Sequence, residues 1–177
     1  MAEFRRRASL RGLWGQPCVG ANPTVRTKMF EIKSLTNEKE LEGVLGVQEK
    51  CFKNLERFSE KFLFDLWQNF PNGFLIAKDK KRVLGYGILK KESEKGLIFS
   101  LAVLPEMQNQ GIGKEILKRL IEIAKKEDLK KVYLHTGETN FKAIAFYQKF
   151  GFNIIKVKEH YYSTGENAFL MELEVEK

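Results

Sequence analysis

The chain has 177 residues, 43% of them apolar and 31% charged, with a formal net charge of +8, two cysteines and two histidines. That length suits one domain with a full core, and no run approaches the roughly 20 apolar residues that a membrane span needs. Cys18, Cys51, His135 and His160 stand at spacings that give neither a disulfide framework nor a metal set, which predicts a metal-free protein of a reducing cytoplasm.

Residues 1–28 hold six basic side chains (Arg5, Arg6, Arg7, Arg11, Arg26, Lys28) against Glu3, a charge of +5 that leaves only +3 for the rest. The segment has no helical or strand period and lacks the apolar core of a secretory signal. It reads as a disordered leader or an added segment before a natural start at Met29; an Arg-rich mitochondrial presequence is the lesser alternative. A near-neutral body speaks against a nucleic-acid partner, which requires a basic patch on the domain itself.

From Met29 the elements alternate. MFEIKSL reads as a short strand. In NEKELEGVLGVQEKCF, Leu41, Val44, Leu45, Gln48 and Phe52 recur at helical spacing behind a cap at Thr36 or Asn37. SEKFLFDLWQNF is a second helix, capped by Ser59 and broken at Pro71-Asn72-Gly73, with Phe62, Phe64, Leu66 and Trp67 read as core. GFLIAKD and RVLGYGILKKES make a hairpin about Asp79-Lys80-Lys81, and Lys90, Lys91, Glu92 and Glu94 read as its solvated end. LIFSLAVLP is a strand apolar on both faces, followed by a long helix from Gly113 to Glu127. KVYLHTG is another buried strand, and NFKAIAFYQKF a helix ended by Gly151 in the left-handed conformation. NIIKVKEH and AFLMELEV are the last strands. Strands buried on both faces need helices on both sides, so residues 29–177 form a single α/β domain, a mixed sheet with helices on both faces.

The start of the long helix, QNQGIGKE, raises a chemical question. Glycine is a modest helix cap, yet Gly111 and Gly113 both stand there. The first amides of a helix have no partner within it and carry the positive end of its dipole. Bare backbone lets an anion approach those amides, so a phosphate is the expected guest. Spacing excludes two familiar loops: Ile116 occupies the third glycine of a dinucleotide fingerprint, and Gly113-Lys114 is followed by Glu115 where a nucleotide triphosphate loop needs Ser or Thr.

Gln108-x-x-Gly111-x-Gly113, between a strand and a helix, resembles the coenzyme A loop of the GNAT acyltransferase superfamily. Downstream, Asn140-x-x-Ala143-x-x-Phe146-Tyr147-x-x-x-Gly151-Phe152 is similar to that superfamily's next segment, and the order of elements agrees. Within it the chain is most similar to protein N-terminal acetyltransferases, including those acting on ribosomal-protein alanine termini. EHYYSTGENAFLMEL supplies the Tyr161-Tyr162 pair, then Glu166 and Met171. CFKNLERFS resembles the loop that reads the target's first residues, with Phe52-Lys53 where Phe-Pro is usual.

The resemblance implies acetyl-CoA as co-substrate, held by Leu101, Ala102 and Val103, by the loop Gln108, Asn109, Gln110, Gly111, Ile112, Gly113 and Lys114, and by Asn140 and Tyr147. The expected cleft lies between the strand ending near Val103 and the one beginning near Lys131. It implies as acceptor a protein or peptide N-terminus, contacted by Phe52, Lys53, Tyr161 and Tyr162, and an enzyme acting as a monomer or weak dimer without membrane or nucleic acid. Acetyl transfer to an amine needs a base, because an α-amino group with a pKa near 7.7–8.0 is largely protonated at neutral pH. His135, on the strand before Asn140, fits that role, and Tyr147 fits the acid that protonates the leaving sulfur. Backbone N–H groups of Leu101–Val103 would meet the oxyanion. Leu97 stands where some relatives carry an auxiliary tyrosine. A small-molecule amine (a polyamine, amino acid or antibiotic) is the alternative acceptor, since it would use the same coenzyme residues. A non-catalytic coenzyme sensor is the second alternative, and intact His135 and Tyr147 oppose it.

Overall fold

The computed structural model describes residues 30–52 and 57–175; the leader, Met29 and Lys53 lie outside the described residues. Seven strands form one sheet: β1 (Glu31–Ser34), β2 (Phe74–Lys78), β3 (Val83–Glu92), β4 (Lys95–Val103), β5 (Lys131–Gly137), β6 (Asn153–Lys158) and β7 (Ala168–Glu174). Among the described residues four α-helices connect them: α1 (Glu38–Cys51), α2 (Glu60–Asn69), α3 (Ile112–Lys126) and α4 (Phe141–Gln148). The sheet order is β1-β2-β3-β4-β5-β7-β6. Every neighbouring pair is antiparallel except β4 and β5.

Local chemistry sets the helix ends. Asn37 Oδ1 accepts the Glu40 N–H at 3.0 Å, and Glu40 Oε2 in return accepts the Thr36 N–H and hydroxyl at 3.2 and 3.0 Å, so Asn37 is the cap and Thr36 its support. Ser59 Oγ caps α2 through the Phe62 N–H at 3.3 Å. α4 ends as the sequence predicts: Gly151 has φ +88, and the Phe152 and Gly151 N–H groups donate to Tyr147 and Gln148 carbonyls at 3.2 and 3.0 Å, a Schellman closure.

The two faces of β3 show how the layers stack. At Gly87 an added Cβ would lie 2.5 Å from Ile116 Cγ2 of α3, so α3 sits directly on that face and only glycine fits beneath it. The neighbouring Tyr86 points to the other face, is fully buried, and shares an environment with Cys51 of α1. α1 and α2 therefore cover one side of β1–β4, and α3 covers the other. A single core joins both layers, from Leu41 and Val44 through Ile76 and Ile88 to Leu117, Leu120 and Met171. Among the described residues no helix is long and apolar enough to cross a membrane.

The feature that positions the site is the one parallel pair. β4 and β5 are registered only over Lys95–Leu97 and Lys131–Tyr133. Beyond Tyr133 the strands part, while β4 stays paired with β3 as far as Val103 and β5 with β7 as far as Gly137. A register shift opposite Ile88/Leu89 leaves Phe99 as an extra residue in β4, and such a bulge bends the strand that carries it. The result is a wedge between 98–103 and 134–137. The wedge thus lies between the two expected strands, closed where β4 and β5 pair up to Leu97 and Tyr133 and open beyond them.

Candidate active site

One side of the wedge ends in the glycine loop. After β4, Pro105–Met107 makes a single 3₁₀ turn, and Gln108 Nε2 donates back to the Val103 carbonyl at 3.2 Å. Cys51 Sγ reaches the same carbonyl at 3.3 Å, which fixes the strand end from both sides. Asn109 and Gly111 take left-handed φ values of +61 and +85, and Gly111 caps α3 with no side-chain bond. The first intrahelical acceptor is the Gly111 carbonyl, bonded by Glu115 N–H at 3.0 Å. Ile112, Gly113 and Lys114 amides therefore have no helical carbonyl to bond. Gly111 is required by its backbone. Gly113 is not: an added Cβ there would meet Val103, Phe146 and Leu101 at ordinary distances of 3.6–3.8 Å. What its bareness preserves is access to the amides, and this fits a bound pyrophosphate.

α4 closes the same side. Asn140 Oδ1 caps it by accepting the Ala143 N–H at 3.2 Å, so this candidate coenzyme ligand has a structural task as well. Tyr147 is buried against Phe146 and Phe152, with ring centroids 5.2 and 5.7 Å away. Burial, with a contribution from the neighbouring Tyr162, pushes its phenol well above the ordinary tyrosine range, so it is a protonated donor at neutral pH. β4 beyond Leu97 has lost its β5 partner, so alternate backbone groups of 98–103 face the wedge unpaired by a strand.

The opposite side of the sheet carries His135. Its imidazole stacks on Tyr161 at 4.6 Å and 18° and meets Tyr133 edge-on at 5.9 Å. Tyr162 stands perpendicular to Tyr161 at 5.2 Å, and Lys158 Nζ lies 5.2 Å from the Tyr161 ring. Among the described residues His135 Nε2 is the buried side-chain polar atom without a hydrogen-bond partner. Burial lowers the His135 pKa below its ordinary value, Lys158 lowers it further, and Glu92 opposes both. The lowered pKa favours the neutral ring at pH 7. A cavity of about 230 Å³ beside it is lined by Glu92, Lys95, Tyr133, Lys158 and Leu170.

His135, Tyr161 and Tyr162 form one aromatic group, and Tyr162 acts electrostatically on Tyr147. Phe52 is half-buried, and its carbonyl accepts Arg57 Nε at 3.0 Å. Gln48, buried on α1, clamps the end of the same loop by bonding both the N–H and the carbonyl of Phe58 at 3.1 and 3.3 Å. Two readings of the sequence need correction. Phe62 is 41% exposed rather than core. It forms an aromatic wall with Phe58 and Phe99, with centroids 5.0–5.7 Å apart, because the bulge turns Phe99 toward α2. Glu92 is no solvated hairpin end: it accepts the Tyr133 hydroxyl and Lys90 Nζ, and these hold its pKa below the carboxylate range. Tyr133 went unnoticed although it lies two residues before His135, on the same strand face. Lys158, read as an ordinary strand residue, had no local signal.

Residues 41–152 match the model of the acetyltransferase (GNAT) family. The chain belongs to this family. It is an acetyl-CoA-dependent N-acetyltransferase. An N-alpha-acetyltransferase of Sulfolobus acidocaldarius is 30% identical over 66% of this chain and 77% of its own length. A ribosomal protein bS18 alanine N-acetyltransferase of Salmonella typhimurium is 30% identical over 67% of this chain and 81% of its own. The crystal structure of Ard1 from Thermoplasma volcanium superposes with a TM-score of 0.78 at 24% identity, over 84% of this chain and 99% of that one. Among the described residues no cluster of three or more His, Cys, Asp or Glu side chains could hold a metal ion.

Proposed function

We propose that this GNAT enzyme acetylates the N-terminal α-amino group of a protein or peptide, with His135 as general base and Tyr147 as general acid. The observation that carries the reading is His135 itself: neutral, with Nε2 unpartnered in the protein, beside the two tyrosines of the β6–β7 loop. Acetyl-CoA supplies an activated thioester carbonyl. The chain's residues do the rest. The amides of Ile112–Lys114 hold the pyrophosphate, and Asn140 borders the same groove. Backbone N–H groups of Leu101–Val103 stabilise the negative charge that develops on the carbonyl oxygen. His135 Nε2 takes the proton from the attacking amine, and the Tyr147 hydroxyl gives its proton to the departing sulfur.

Acceptor recognition falls to the two loops flanking His135. Tyr161 and Tyr162 stand on one side, and the Phe52 region with the Phe58–Phe62–Phe99 wall on the other. An aromatic channel of this kind suits an extended peptide better than a compact polyamine, whose several positive charges call for acidic walls. The names of the relatives, N-alpha-acetyltransferase and ribosomal-protein alanine N-acetyltransferase, support the same choice. The free thiol of Cys51 accords with a reducing cytoplasm. A monomer or weak dimer suffices, because every residue of the proposed mechanism comes from one chain.

The test is a panel of peptides differing in their first two residues, with spermidine and free lysine alongside, followed by acetyl-CoA consumption. The reading predicts kcat/KM for at least one peptide well above that for either small amine. A higher value for spermidine or lysine overturns it.

A further inference from the structure

A cavity of about 600 Å³ lies away from the coenzyme wedge, between α1 and the β2–β3 turn. Lys39 and Lys50 line it from α1, and Lys78, Lys80, Lys81 and Arg82 from the hairpin; the acidic lining residues are Glu40 and Glu42. The groove thus has a surplus of four positive charges, against +3 for the whole chain beyond the leader. The domain is near neutral because this one place is positive and the remainder is slightly negative.

Not all of these charges are free. Glu40 is buried and pairs with Lys78 at 3.0 Å and with Lys33 at 2.7 Å. Glu106 takes Lys50 at 3.6 Å and Arg82 at 3.2 Å, both as exposed pairs. No ion pair holds Lys39, Lys80 or Lys81 among the described residues. They line the groove from α1 and from the hairpin, with Asp79 and Glu42 as the nearby carboxylates, and a guest with several negative charges would complement them.

A second observation concerns the floor. α1 contains two glycines in its interior, where glycine is less favourable than alanine. Gly43 has a packing reason, since an added Cβ would lie 2.6 Å from Val83 Cγ2. Gly46 has none: an added Cβ there would meet nothing within 4 Å, and the position lines the groove. Its bareness deepens a cavity whose volume lies within the range of small-ligand sites.

We propose that this groove binds a small polyphosphate, its charges shared between Lys39 on α1 and Lys80 and Lys81 on the hairpin, over the open backbone of Gly46. The ligand chemistry is a run of linked phosphates, whether free or on a nucleotide. The site is separate from the coenzyme loop and borders it at Leu104 and through Glu106 of the preceding turn, which pairs with Lys50 and Arg82.

Calorimetric titration of the full chain with sodium tripolyphosphate, at 50 mM salt and with coenzyme A saturating, tests this directly. Saturation with coenzyme A blocks the glycine loop, so the expected result is one remaining site, weakened by 0.5 M salt. Lys39→Ala/Lys80→Ala/Lys81→Ala should weaken it at least tenfold. Gly46→Leu should abolish it, while its melting temperature matches or exceeds that of the wild type, because leucine favours a helix. ATP in place of tripolyphosphate identifies the source: tighter binding points to a nucleotide, equal binding to the phosphate chain alone, and both uphold the site. Absence of binding under coenzyme saturation, or equal affinity in the triple variant or in folded Gly46→Leu, overturns the proposal. So does a short single-stranded RNA that binds when tripolyphosphate and ATP do not.

Discussion

At His135, the proposed proton acceptor, opposing influences set the pKa. Burial and Lys158 disfavour the imidazolium while Glu92 favours it, and burial prevails. A lowered pKa favours the base form of the ring, so if His135 is the base, the ascending limb of kcat/KM should lie below the ordinary histidine range. Lys158→Gln removes one of the two lowering influences, and that limb should move to higher pH; an unmoved limb would show that Lys158 has no electrostatic hold on the base. His135→Ala should cost about 10²–10⁴-fold in rate, shrinking above pH ~8 as the α-amine deprotonates unaided. A loss equal at every pH would reduce His135 to a packing residue. Tyr147→Phe keeps the ring against Phe146 and Phe152 and removes one proton. Its maximal rate should fall with stability and coenzyme affinity nearly unchanged, and a donor with a more acidic leaving thiol should recover part of the loss. His135 and Tyr147 could be proposed from the sequence because one stands on the strand before the Asn140 motif and the other within that motif. Glu92 and Lys158 were not, because they reach the histidine from β3 and β6, strands that chain order separates from it.

At the scale of elements, the wedge and the helix start divide the coenzyme's needs. In the proposed mode of binding, the β4–β5 split would admit an extended chain between two strands, and the α3 amides would hold charge at its end. Gly113 separates this role from folding, because its added Cβ has room in the free protein. Gly113→Asp should therefore fold normally and lose coenzyme affinity roughly tenfold or more, on the scale of an anion's interaction with a helix start. Normal affinity, read by calorimetry, would move the pyrophosphate elsewhere. The strands, helices and most caps were predictable from period and cap residues, as at Asn37, Ser59 and Gly151. The bulge at Phe99 was not. A buried strand that is apolar on both faces gives no sign of where its alternation slips, so the aromatic wall with Phe58 and Phe62 appears only once α2 is packed against β4.

For the whole molecule, stability is linked to one buried carboxylate. Burial would raise the pKa of Glu40, but Lys33, Lys78 and Thr36 more than reverse this and hold it at about 2, against 4.5 unperturbed. A folded-state pKa depressed in this way contributes stability above the unfolded value and loses it as pH falls through the folded one. The contribution is about 3 kcal/mol, lost progressively between roughly pH 5 and pH 2. Urea unfolding of Glu40→Gln should show a deficit of that order at pH 7 that narrows on acidification; a deficit independent of pH would mean that Glu40 acts through shape alone. The account as a whole rests on the acceptor being an α-amine delivered past Tyr161 to His135. The most direct measurement uses one peptide with a free N-terminus and an internal lysine, acetyl-CoA as donor, and site-resolved mass spectrometry of the product. The account predicts acetyl on the α-nitrogen, with the ε-nitrogen unmodified at the same conversion. Acetyl placed first on the lysine side chain would contradict it.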